Sequence, residues 1–488
     1  MKYSGIYFCL LCLLFTSSSC DENLLQEISK GVVSEAQFWQ TQEEVEMGIR
    51  AAYYKVGASF NGGYGLWQYV IEDLGVDYTD AACFHTYISY SDWSSISPNF
   101  TDWGIWGNLW GLIRDTNRLL DKVPKAPIDT AVQERVLGEA YALRALGYFT
   151  LVNWFGSVPE VIAYDEMKTE IPRASYSSNY SLIESDLLAA IQLLPSKSSL
   201  VAISEKEYGR LAKGAAQGLL ARVYLQQEKW LEVINLTEEI IQSNEYALET
   251  NYLNIFSIEN QGFTNSELLW SMLFSSTSLA EPPQFQMLMV YLFKAPEITA
   301  YNHFNEWGGN MRLTTDFFNS FETGDQRKNG LYYSMTAASW GIQNPVMLVK
   351  YPADTESTGE GNGNNYPFIR YADILLMRAE ALNNLGNQSE AIVEVNKVRS
   401  RAGLGALDES LHDQKSLATH ILQERRWEFY FEGHGKRDLK RMHPELLKDH
   451  IKSVSSDWEA KGVESYFILP IPENALRANP LLEQNPGF

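Results

Sequence analysis

The stretch from Tyr366 to Ala402, YPFIRYADILLMRAEALNNLGNQSEAIVEVNKVRSRA, has the apolar spacing of two successive amphipathic helices. Gly386 lies between the two halves and suits a left-handed helix end. Asn387 and Glu390 have the spacing of a capping box at the start of the second helix. The pattern predicts a helical hairpin of the kind that builds tetratricopeptide repeats. Its two apolar stripes comprise Ala372, Leu375, Leu376, Ala379 and Leu382, and then Ala391, Val395, Val398 and Ala402.

A second hairpin of the same kind is predicted upstream. When Glu232 is aligned with Glu390, Ala221 falls on Ala379, an offset of 158 residues. This offset is not a multiple of the roughly 34 residues of a tetratricopeptide repeat. The sequence therefore predicts that inserted material separates the hairpins and that they are not stacked in a simple solenoid. Apolar periodicity predicts further helices over 34–56 (with Ser34 as a cap), 103–120, 131–155, 180–194, 208–227, 230–243 and 416–431.

Two long segments, 57–103 and 244–365, lack helical patterning and are rich in Gly, Ser, Asn and aromatic residues. Long ordered loops are uncommon in compact domains unless they serve a function, so we expect these two segments to form a loop-rich, ligand-binding half. Short β pieces are expected over 267–274 and 346–351. Because no low-complexity linker divides the chain, residues 20–488 are predicted to form a single, mostly helical domain.

Residues 1–19 have the parts of a bacterial signal peptide. Lys2 supplies a positive charge, and residues 6–15 form an apolar segment that is too short for a lasting membrane helix. Three serines precede Cys20, an arrangement that resembles a lipobox, in which the cysteine is lipidated and becomes the mature N-terminus. Asp21 and Glu22 resemble a surface-export signal of Bacteroidetes lipoproteins. We expect a lipid-anchored protein; the alternative is a secreted protein cut near the same place.

The 488-residue chain is strongly acidic, with a formal net charge of −22. Binding to phosphate groups requires a basic face, so nucleic acids and anionic membrane surfaces are disfavoured as partners. An apolar content of 45%, with 13% aromatic residues, predicts a packed core. Once residues 1–19 are removed, Cys20 and Cys83 are the remaining cysteines, which excludes a disulfide framework.

A charged block near the C-terminus could be either a structural ion network or a metal or acid–base site. Glu424, Glu428 and Glu432 recur at a spacing of four on one predicted helix face. Like charges at this spacing need cationic partners, so we interpret them as a structural ion network and not as a metal or acid–base site. The chain has no H-E-x-x-H, nucleophile elbow or phosphate loop, so we expect no catalytic residue, metal or cofactor. The expected cationic partners are Arg425, Arg426, Lys436 and Arg441.

Several motifs resemble, in order along the chain, those of the SusD/RagB family of outer-membrane nutrient-binding lipoproteins. They include Gly138-Glu139-Ala140, Gly156-Ser157-Val158-Pro159, Asp325-Gln326-Arg327, Ile369-Arg370-Tyr371-Ala372-Asp373, Arg378-Ala379-Glu380-Ala381, Asn396-Lys397-Val398-Arg399, Phe431-Glu432-Gly433-His434, Leu469-Pro470-Ile471-Pro472 and Gln484-Asn485-Pro486-Gly487-Phe488. The resemblance covers essentially the whole mature chain. Gly435-Lys436-Arg437 departs from the family pattern, in which arginine and aromatic residues are frequent.

The resemblance implies a SusD-like fold, in which four tetratricopeptide-like helix pairs form a scaffold and an irregular half carries the ligand site. It implies a non-enzymatic lipoprotein at the cell surface, attached to the outer membrane through a lipid on Cys20. The implied partners are an oligosaccharide and a SusC-like TonB-dependent transporter. Two alternatives are open: a RagB-like uptake protein for peptides or glycopeptides, and a surface glycoside hydrolase.

A glycan site needs flat aromatic rings for the C–H faces of sugars and polar side chains for their hydroxyls. Two clusters within the loop-rich segments have this composition, and the resemblance implies that loops from the two segments meet at the ligand. Trp93 and Trp307 are the strongest stacking candidates, and Gly308 and Gly309 leave one face of Trp307 uncovered. The predicted ligand-binding residues are Trp67, Asp77, Tyr78, Trp93 and Trp103, and then Tyr301, Asn305, Trp307 and Arg312.

Overall fold

The computed structural model describes most of the chain from Phe38 onward. The described residues are 38–57, 68, 71–81, 93, 96–98, 104–164, 170–204, 207–274, 311–333, 346–352, 363–411 and 413–488. The predicted signal peptide, the lipidation site Cys20 and the proposed cap Ser34 lie outside these ranges. The first described helix begins at Gln42, where Thr41 and Glu44 exchange side chain-to-backbone hydrogen bonds in a capping box.

The described structure is mostly helical, as predicted. The helices are α1 Gln42–Gly57, α2 Ile105–Lys122, α3 Thr130–Phe155, α4 Tyr176–Leu193, α5 Lys197–Ile203, α6 Lys213–Gln226, α7 Trp230–Gln242, α8 Thr315–Ser320, α9 Tyr371–Asn384, α10 Gln388–Arg401, α11 Gln414–Phe429, α12 Gly435–Met442, α13 Pro444–Val454, α14 Trp458–Lys461 and α15 Glu473–Ala478. The strands are β1 Thr79–Ala81, β2 Leu268–Met272, β3 Met311–Leu313, β4 Leu331–Tyr333, β5 Val346–Leu348 and β6 Tyr366–Arg370.

Eight of these helices form a continuous stack of four pairs. The pairs are α1–α2, α3–α4, α6–α7 and α9–α10, and each pair packs against the next through α2–α3, α4–α6 and α7–α9. A helix pair cannot bury its apolar faces alone, so stacking neighbours supplies a shared core. The arrangement confirms the four tetratricopeptide-like pairs that the family resemblance implied.

The hairpin α9–α10 confirms the predicted apolar stripes and the helix end at Gly386, with two differences in detail. All nine stripe residues are buried. Gly386 has φ +84°, and the amide of Asn387 donates to the carbonyl of Leu382 at 2.9 Å, which closes α9 as a left-handed turn. The Asn387 side chain, however, makes no capping bond, because φ −99° and ψ 59° depart from the extended geometry of a capping residue. Tyr366–Arg370 forms β6 and does not begin the helix.

The second hairpin, α6–α7, also exists, but the expectation that the two hairpins are not stacked is wrong. Helix α7 packs directly against α9. Arg378 bridges them, because its guanidinium donates to the carbonyl of Ile234 at 3.0 Å and lies 2.7 Å from the carboxylate of Glu238. The material between residues 242 and 366 is therefore an insertion that leaves the stack unbroken, so sequence distance did not indicate spatial distance.

The described residues form two small sheets, and each sheet contains one of the predicted β segments. Strands β2 and β6 pair antiparallel, which confirms the β segment expected over 267–274. A second sheet has the order β1-β3-β5-β4, and β5 confirms the segment expected over 346–351. Strand β1 comes from the first loop-rich segment, whereas β3, β5 and β4 come from the second. The sheet thus joins the two segments that were predicted to carry the ligand site.

The charged block is a buried ion network, as interpreted, but its cationic partners were predicted wrongly. Glu424, Glu428 and Glu432 are all at most 1% exposed. The predicted Arg425 instead pairs with Asp373 at 2.9 Å, because successive helix residues point about 100° apart. The cations that do pair with the three glutamates come from distant segments. Glu424 pairs with Arg327 and Arg399, and Glu428 pairs with Arg327, Arg370 and Arg401. Glu432 pairs with Lys350 and Arg370.

No single helix in the described ranges is long and apolar enough to cross a membrane. By length and composition alone, the bent pair α4–α5 satisfies the same criterion when its two helices are taken together. The apolar side of this pair contributes Leu187, Ala190 and Leu200 to the interior of the protein.

Candidate functional site

The antiparallel pair β1–β3 brings the two predicted ligand segments together. Thr79 lies opposite Leu313, Asp80 opposite Arg312, and Ala81 opposite Met311. The carbonyl of Tyr78 extends the ladder by accepting a hydrogen bond from the amide of Thr314 at 2.9 Å. Because Ala81 pairs with Met311, the chain leaves β1 and enters β3 at the same end of the ladder.

A group of polar side chains lies beside this strand pair, and we call it the polar cluster: Asp77, Asp80, Arg312, Gln423, Arg426 and His450. Asp80 forms an ion pair with Arg312, directly across the strands. Asp77 forms an ion pair with Arg426 of α11 at 2.5 Å. The Arg426 guanidinium also lies over the ring of Tyr78, 4.8 Å from its centroid, which fixes the guanidinium plane.

The charges of Asp77 and Asp80 both act on His450, which lies on α13. Burial lowers the pKa of His450, while the charges of Asp77 and Asp80 oppose this effect. The ring is therefore uncharged at neutral pH. Its Nε2 atom is buried and makes no hydrogen bond with a described residue.

The polar cluster is unusual for its buried polar atoms without hydrogen-bond partners. Of fifteen such atoms in the described part of the chain, five belong to it. An unpaired buried polar group costs about 1–3 kcal/mol, so a concentration of five requires an explanation such as bound water or a ligand. The five atoms are Asp77 Oδ1, Arg312 Nη1, Gln423 Nε2, Arg426 Nε and His450 Nε2. The five atoms include an acceptor, Asp77 Oδ1, as well as donors, which suits hydroxyl groups because each hydroxyl both donates and accepts.

The segment that carries Asp77 and Asp80 is anchored to the turn before α12. Asp73 is fully buried and accepts hydrogen bonds from the amides of Gly433 at 2.6 Å, His434 at 3.2 Å and Gly435 at 3.0 Å. Burial raises the pKa of Asp73 to about 7, although the amides of Gly435 and Gly433 favour its ionised form. The turn therefore holds the start of β1 at a fixed position relative to α11 and α12.

Two predicted stacking residues occupy the core instead of a ligand-facing surface. Trp93 is 1% exposed; its indole nitrogen donates to the carbonyl of Gly75 at 3.0 Å, and the ammonium of Lys436 lies 4.4 Å from its ring centroid. Tyr78 is 2% exposed and stacks on Phe317 with centroids 4.9 Å apart. Neither ring offers a free face to a sugar in this structure, because burial of a large apolar ring against the core outweighed exposure in both cases.

The remaining predicted residues divide into two groups. Asp77 and Arg312 belong to the polar cluster, so the structure brings together members of both sequence clusters. Trp67, Trp103, Tyr301, Asn305 and Trp307 lie outside the described residues. Within the described ranges, no group of three or more His, Cys, Asp or Glu side chains is placed to hold a metal ion.

Sequence reasoning missed four members of the polar cluster: Asp80, Gln423, Arg426 and His450. Arg426 was assigned to the ion network of the glutamates, but it pairs with Asp77, 349 residues away. Asp80 shares a short acidic segment with Asp77, which was a usable signal. No local signal marks Gln423 or His450, because only the packing of α11 and α13 brings them to β1.

Comparisons with known proteins give a consistent result over both halves of the chain. A family model described as "SusD family" matches residues 298–488. A second model, described as "Starch-binding associating with outer membrane", matches residues 42–225. Among curated relatives, SusD-like protein P38 of Formosa agariphila is 27% identical, and the alignment covers 99% of each chain.

Solved structures show the same relationship. A laminarin-binding SusD-like protein is 26% identical, with a TM-score of 0.76 over 91% of this chain and 99% of the other. A SusD homologue from Bacteroides thetaiotaomicron has a TM-score of 0.79 over 93% of this chain and 99% of the other. Its identity of 20% supports the likeness of fold alone.

Proposed function

Because this chain belongs to the SusD family, we propose that it captures an oligosaccharide or polysaccharide at the cell surface and performs no chemistry on it. The laminarin-binding relative, similar over nearly its whole length, supports carbohydrate as the ligand class. The family description "associating with outer membrane" supports an outer-membrane location. Attachment through a lipid on Cys20 is part of the same proposal and rests on the sequence around that residue.

We propose that the glycan binds at the polar cluster and at the aromatic residues predicted from the sequence. The observation that carries this assignment is the β1–β3 pair, which joins the first loop-rich segment to the second through Asp80 and Arg312. Trp307 precedes β3 by four residues in the sequence, and Asp77 precedes β1 by two. We propose Trp307 as the stacking residue and Asp77 and Arg312 as hydroxyl-binding residues; Trp67, Trp103, Tyr301 and Asn305 remain proposed ligand contacts.

The binding test is isothermal titration of laminarin into the soluble chain that lacks residues 1–20. We expect saturable binding, and we expect Trp307→Ala to weaken it more than tenfold. Loss of one stacking ring would account for this, since a tenfold change corresponds to about 1.4 kcal/mol. Tyr176→Ala removes an aromatic residue that is 50% exposed on α4, outside the polar cluster, and serves as the matched control.

The outcomes of this titration distinguish an error in the assigned binding site from an error in the proposed function. Unchanged affinity in Trp307→Ala, alongside loss of binding in Arg312→Ala, would retain the polar cluster and remove Trp307 from the site. Binding that survives both substitutions would place the site elsewhere in the chain. If the purified chain instead carries a peptide and binds no member of a glycan array, the peptide-uptake alternative replaces this proposal.

We propose that the captured glycan passes to a SusC-like TonB-dependent transporter. Capture without hydrolysis is useful only if the ligand is handed on, and weak hydroxyl and stacking contacts permit release. Co-purification of full-length chain with an outer-membrane barrel from the native host tests the partnership. Assay of the purified chain for new reducing ends tests the absence of catalysis, and their appearance would establish the glycoside hydrolase alternative.

A further inference from the structure

The charges of the polar cluster cancel in pairs. Arg426 is neutralised by Asp77 at 2.5 Å, and Arg312 is neutralised by Asp80 across the strands. The third basic side chain, His450, has a pKa that burial lowers, so it is uncharged at neutral pH. The described part of the cluster therefore offers hydrogen-bonding groups but no cation without a carboxylate beside it.

The sequence of the first loop-rich segment adds no lysine or arginine to this balance. Residues 57–103 include no lysine or arginine, and they contain six carboxylates. The six carboxylates are Glu72, Asp73, Asp77, Asp80, Asp92 and Asp102. Recognition of carboxylate or sulfate groups depends on unpaired arginine or lysine side chains, and the described residues of the polar cluster do not include one.

We infer that this site selects uncharged glycans and excludes uronate-rich or sulfated ones, with Asp77 and Asp80 as the residues that set this selectivity. The inference rests on the proposed function, because it concerns the ligand class of the same site. Each carboxylate occupies a guanidinium that would otherwise attract an anionic sugar, and each repels that sugar directly. The net charge of −22 adds long-range repulsion of polyanions.

The unpartnered atoms of the polar cluster agree with an uncharged ligand. Asp77 Oδ1 can accept a hydrogen bond from a sugar hydroxyl, and Arg312 Nη1 and Arg426 Nε can donate to one. A carboxylate or sulfate group only accepts hydrogen bonds, so it would leave Asp77 Oδ1 unsatisfied and bring two anions together. Hydroxyl groups satisfy both kinds of atom without adding charge.

The experiment compares three probes by titration at 50 mM and 500 mM NaCl: laminarin oligosaccharides, which are neutral; alginate oligosaccharides, which are anionic; and chitosan oligosaccharides, which are cationic. We expect laminarin to bind with an affinity that changes less than twofold between the two salt concentrations, because no net charge is neutralised. We expect no detectable binding of alginate. A glycan array extends the comparison to other neutral, uronate-containing and sulfated chains.

A gain-of-binding variant gives the sharper measurement. Asp80→Asn keeps the size of the side chain, removes its charge and frees Arg312. We expect this variant to acquire alginate binding that weakens at least fivefold from 50 mM to 500 mM NaCl. Asp121→Asn is the matched control, because Asp121 also pairs with basic residues, Lys122 and Lys125, but lies on the surface of α2. The control is expected to leave alginate undetectable.

Each outcome bears on one proposal. Binding of alginate or a sulfated glycan by the wild-type chain, or binding of chitosan in preference to laminarin, would overturn the charge selectivity while leaving glycan binding intact. Binding of no glycan on the array would overturn the proposed function itself. If Asp80→Asn does not fold, as judged by circular dichroism, the wild-type panel and its salt dependence still decide the question.

Discussion

Arg370 is one of several ionised side chains that are buried in the core of this protein. Its guanidinium is 1% exposed and lies 2.7 Å from Glu267, 2.5 Å from Glu428 and 2.7 Å from Glu432. Each charge in the group has several partners, which is the condition under which buried ions are tolerated. The group connects β2, β6 and α11, so it fixes the position of the strand that precedes the stacked hairpin.

Removal of Arg370 is expected to destabilise the protein strongly. Arg370→Met would leave three buried carboxylates with fewer cations, and we expect a loss of about 3–5 kcal/mol in the free energy of unfolding. Urea denaturation followed by tryptophan fluorescence measures this loss. Arg477→Ala removes an arginine whose side chain is 73% exposed and is paired with Glu473, and should change stability by less than about 0.5 kcal/mol. Equal effects of the two substitutions would contradict a structural role for Arg370.

The lowered pKa of Asp438 predicts that the stability of the protein depends on pH. Burial disfavours its ionised form, but Arg425 and Arg441 outweigh burial and lower its pKa from 3.8 to about 2. Since the folded pKa is depressed, the stabilisation is complete above about pH 4 and is lost as pH falls towards 2, a loss of about 2 kcal/mol. Urea denaturation between pH 5 and pH 2 measures the slope. Asp438→Asn should flatten it, and an unchanged slope in that variant would assign the acid sensitivity to other carboxylates.

At the scale of the element, the hairpin α9–α10 depends on how its first helix ends. Gly386 adopts φ +84°, and a Cβ atom added there would meet no neighbour within 4 Å. A substitution at Gly386 would therefore lower the stability of the protein only through strain in the backbone conformation. Helix α9 is buried against α7 on one side and α11 on the other, so its end must be defined for both contacts to form.

Gly386→Ala is expected to lower the free energy of unfolding by about 1 kcal/mol, because a residue with a Cβ is strained at positive φ. Gly386→Asn should cost less, since asparagine tolerates this conformation better. Gly405→Ala is the matched control: the added Cβ is equally free of neighbours, and the backbone is not at positive φ. Thermal denaturation of the three variants tests this, and equal melting temperatures for Gly386→Ala and Gly405→Ala would refute it.

At the scale of the whole molecule, the segment that carries Asp77 and Asp80 is positioned by a turn some 360 residues away. The turn at Gly433 and Gly435 receives the carboxylate of Asp73 and packs against Tyr78. A Cβ atom at Gly435 would lie 2.4 Å from Tyr78 Oη and 3.1 Å from the carbonyl oxygen of Glu72. The absence of a side chain is therefore what allows residues 72–78 to approach α12.

Gly435→Ala is expected to push the segment 72–78 away from α12, with a loss of about 1–3 kcal/mol in stability and weaker glycan binding. Thermal denaturation and titration with laminarin measure the two effects. Gly107→Ala, within α2, is the control: its added Cβ meets nothing within 4 Å, so stability should stay the same or rise by up to about 1 kcal/mol. Wild-type stability in Gly435→Ala would show that the close approach is not required.

Much of the fold could be predicted because its signals are local. The apolar stripes of α9 and α10 and the glycine that ends α9 were each legible within a window of fewer than twenty residues, and the second hairpin at α6–α7 was found because it repeats the spacing of the first. The β segments 267–274 and 346–351 were also found. Less of the candidate site could be predicted: Asp77 and Arg312 were identified, whereas Asp80, Arg426 and His450 were not, and Trp93 and Tyr78 proved to be core residues.

The sequence by itself determined which residues of the Tyr366–Ala402 stretch face the core, where α9 ends and, through its ordered motifs, the family. Helical period and helix ends depend on neighbours within a few residues along the chain, and each family motif is itself a short run of residues. Only the tertiary structure decided that α7 and α9 stack across a long insertion, that Arg327 and Arg370 neutralise the glutamates of α11, and that Asp80 faces Arg312. These contacts join residues 58 to 232 positions apart, and their partners are selected by packing and charge in the folded core, which no local pattern records.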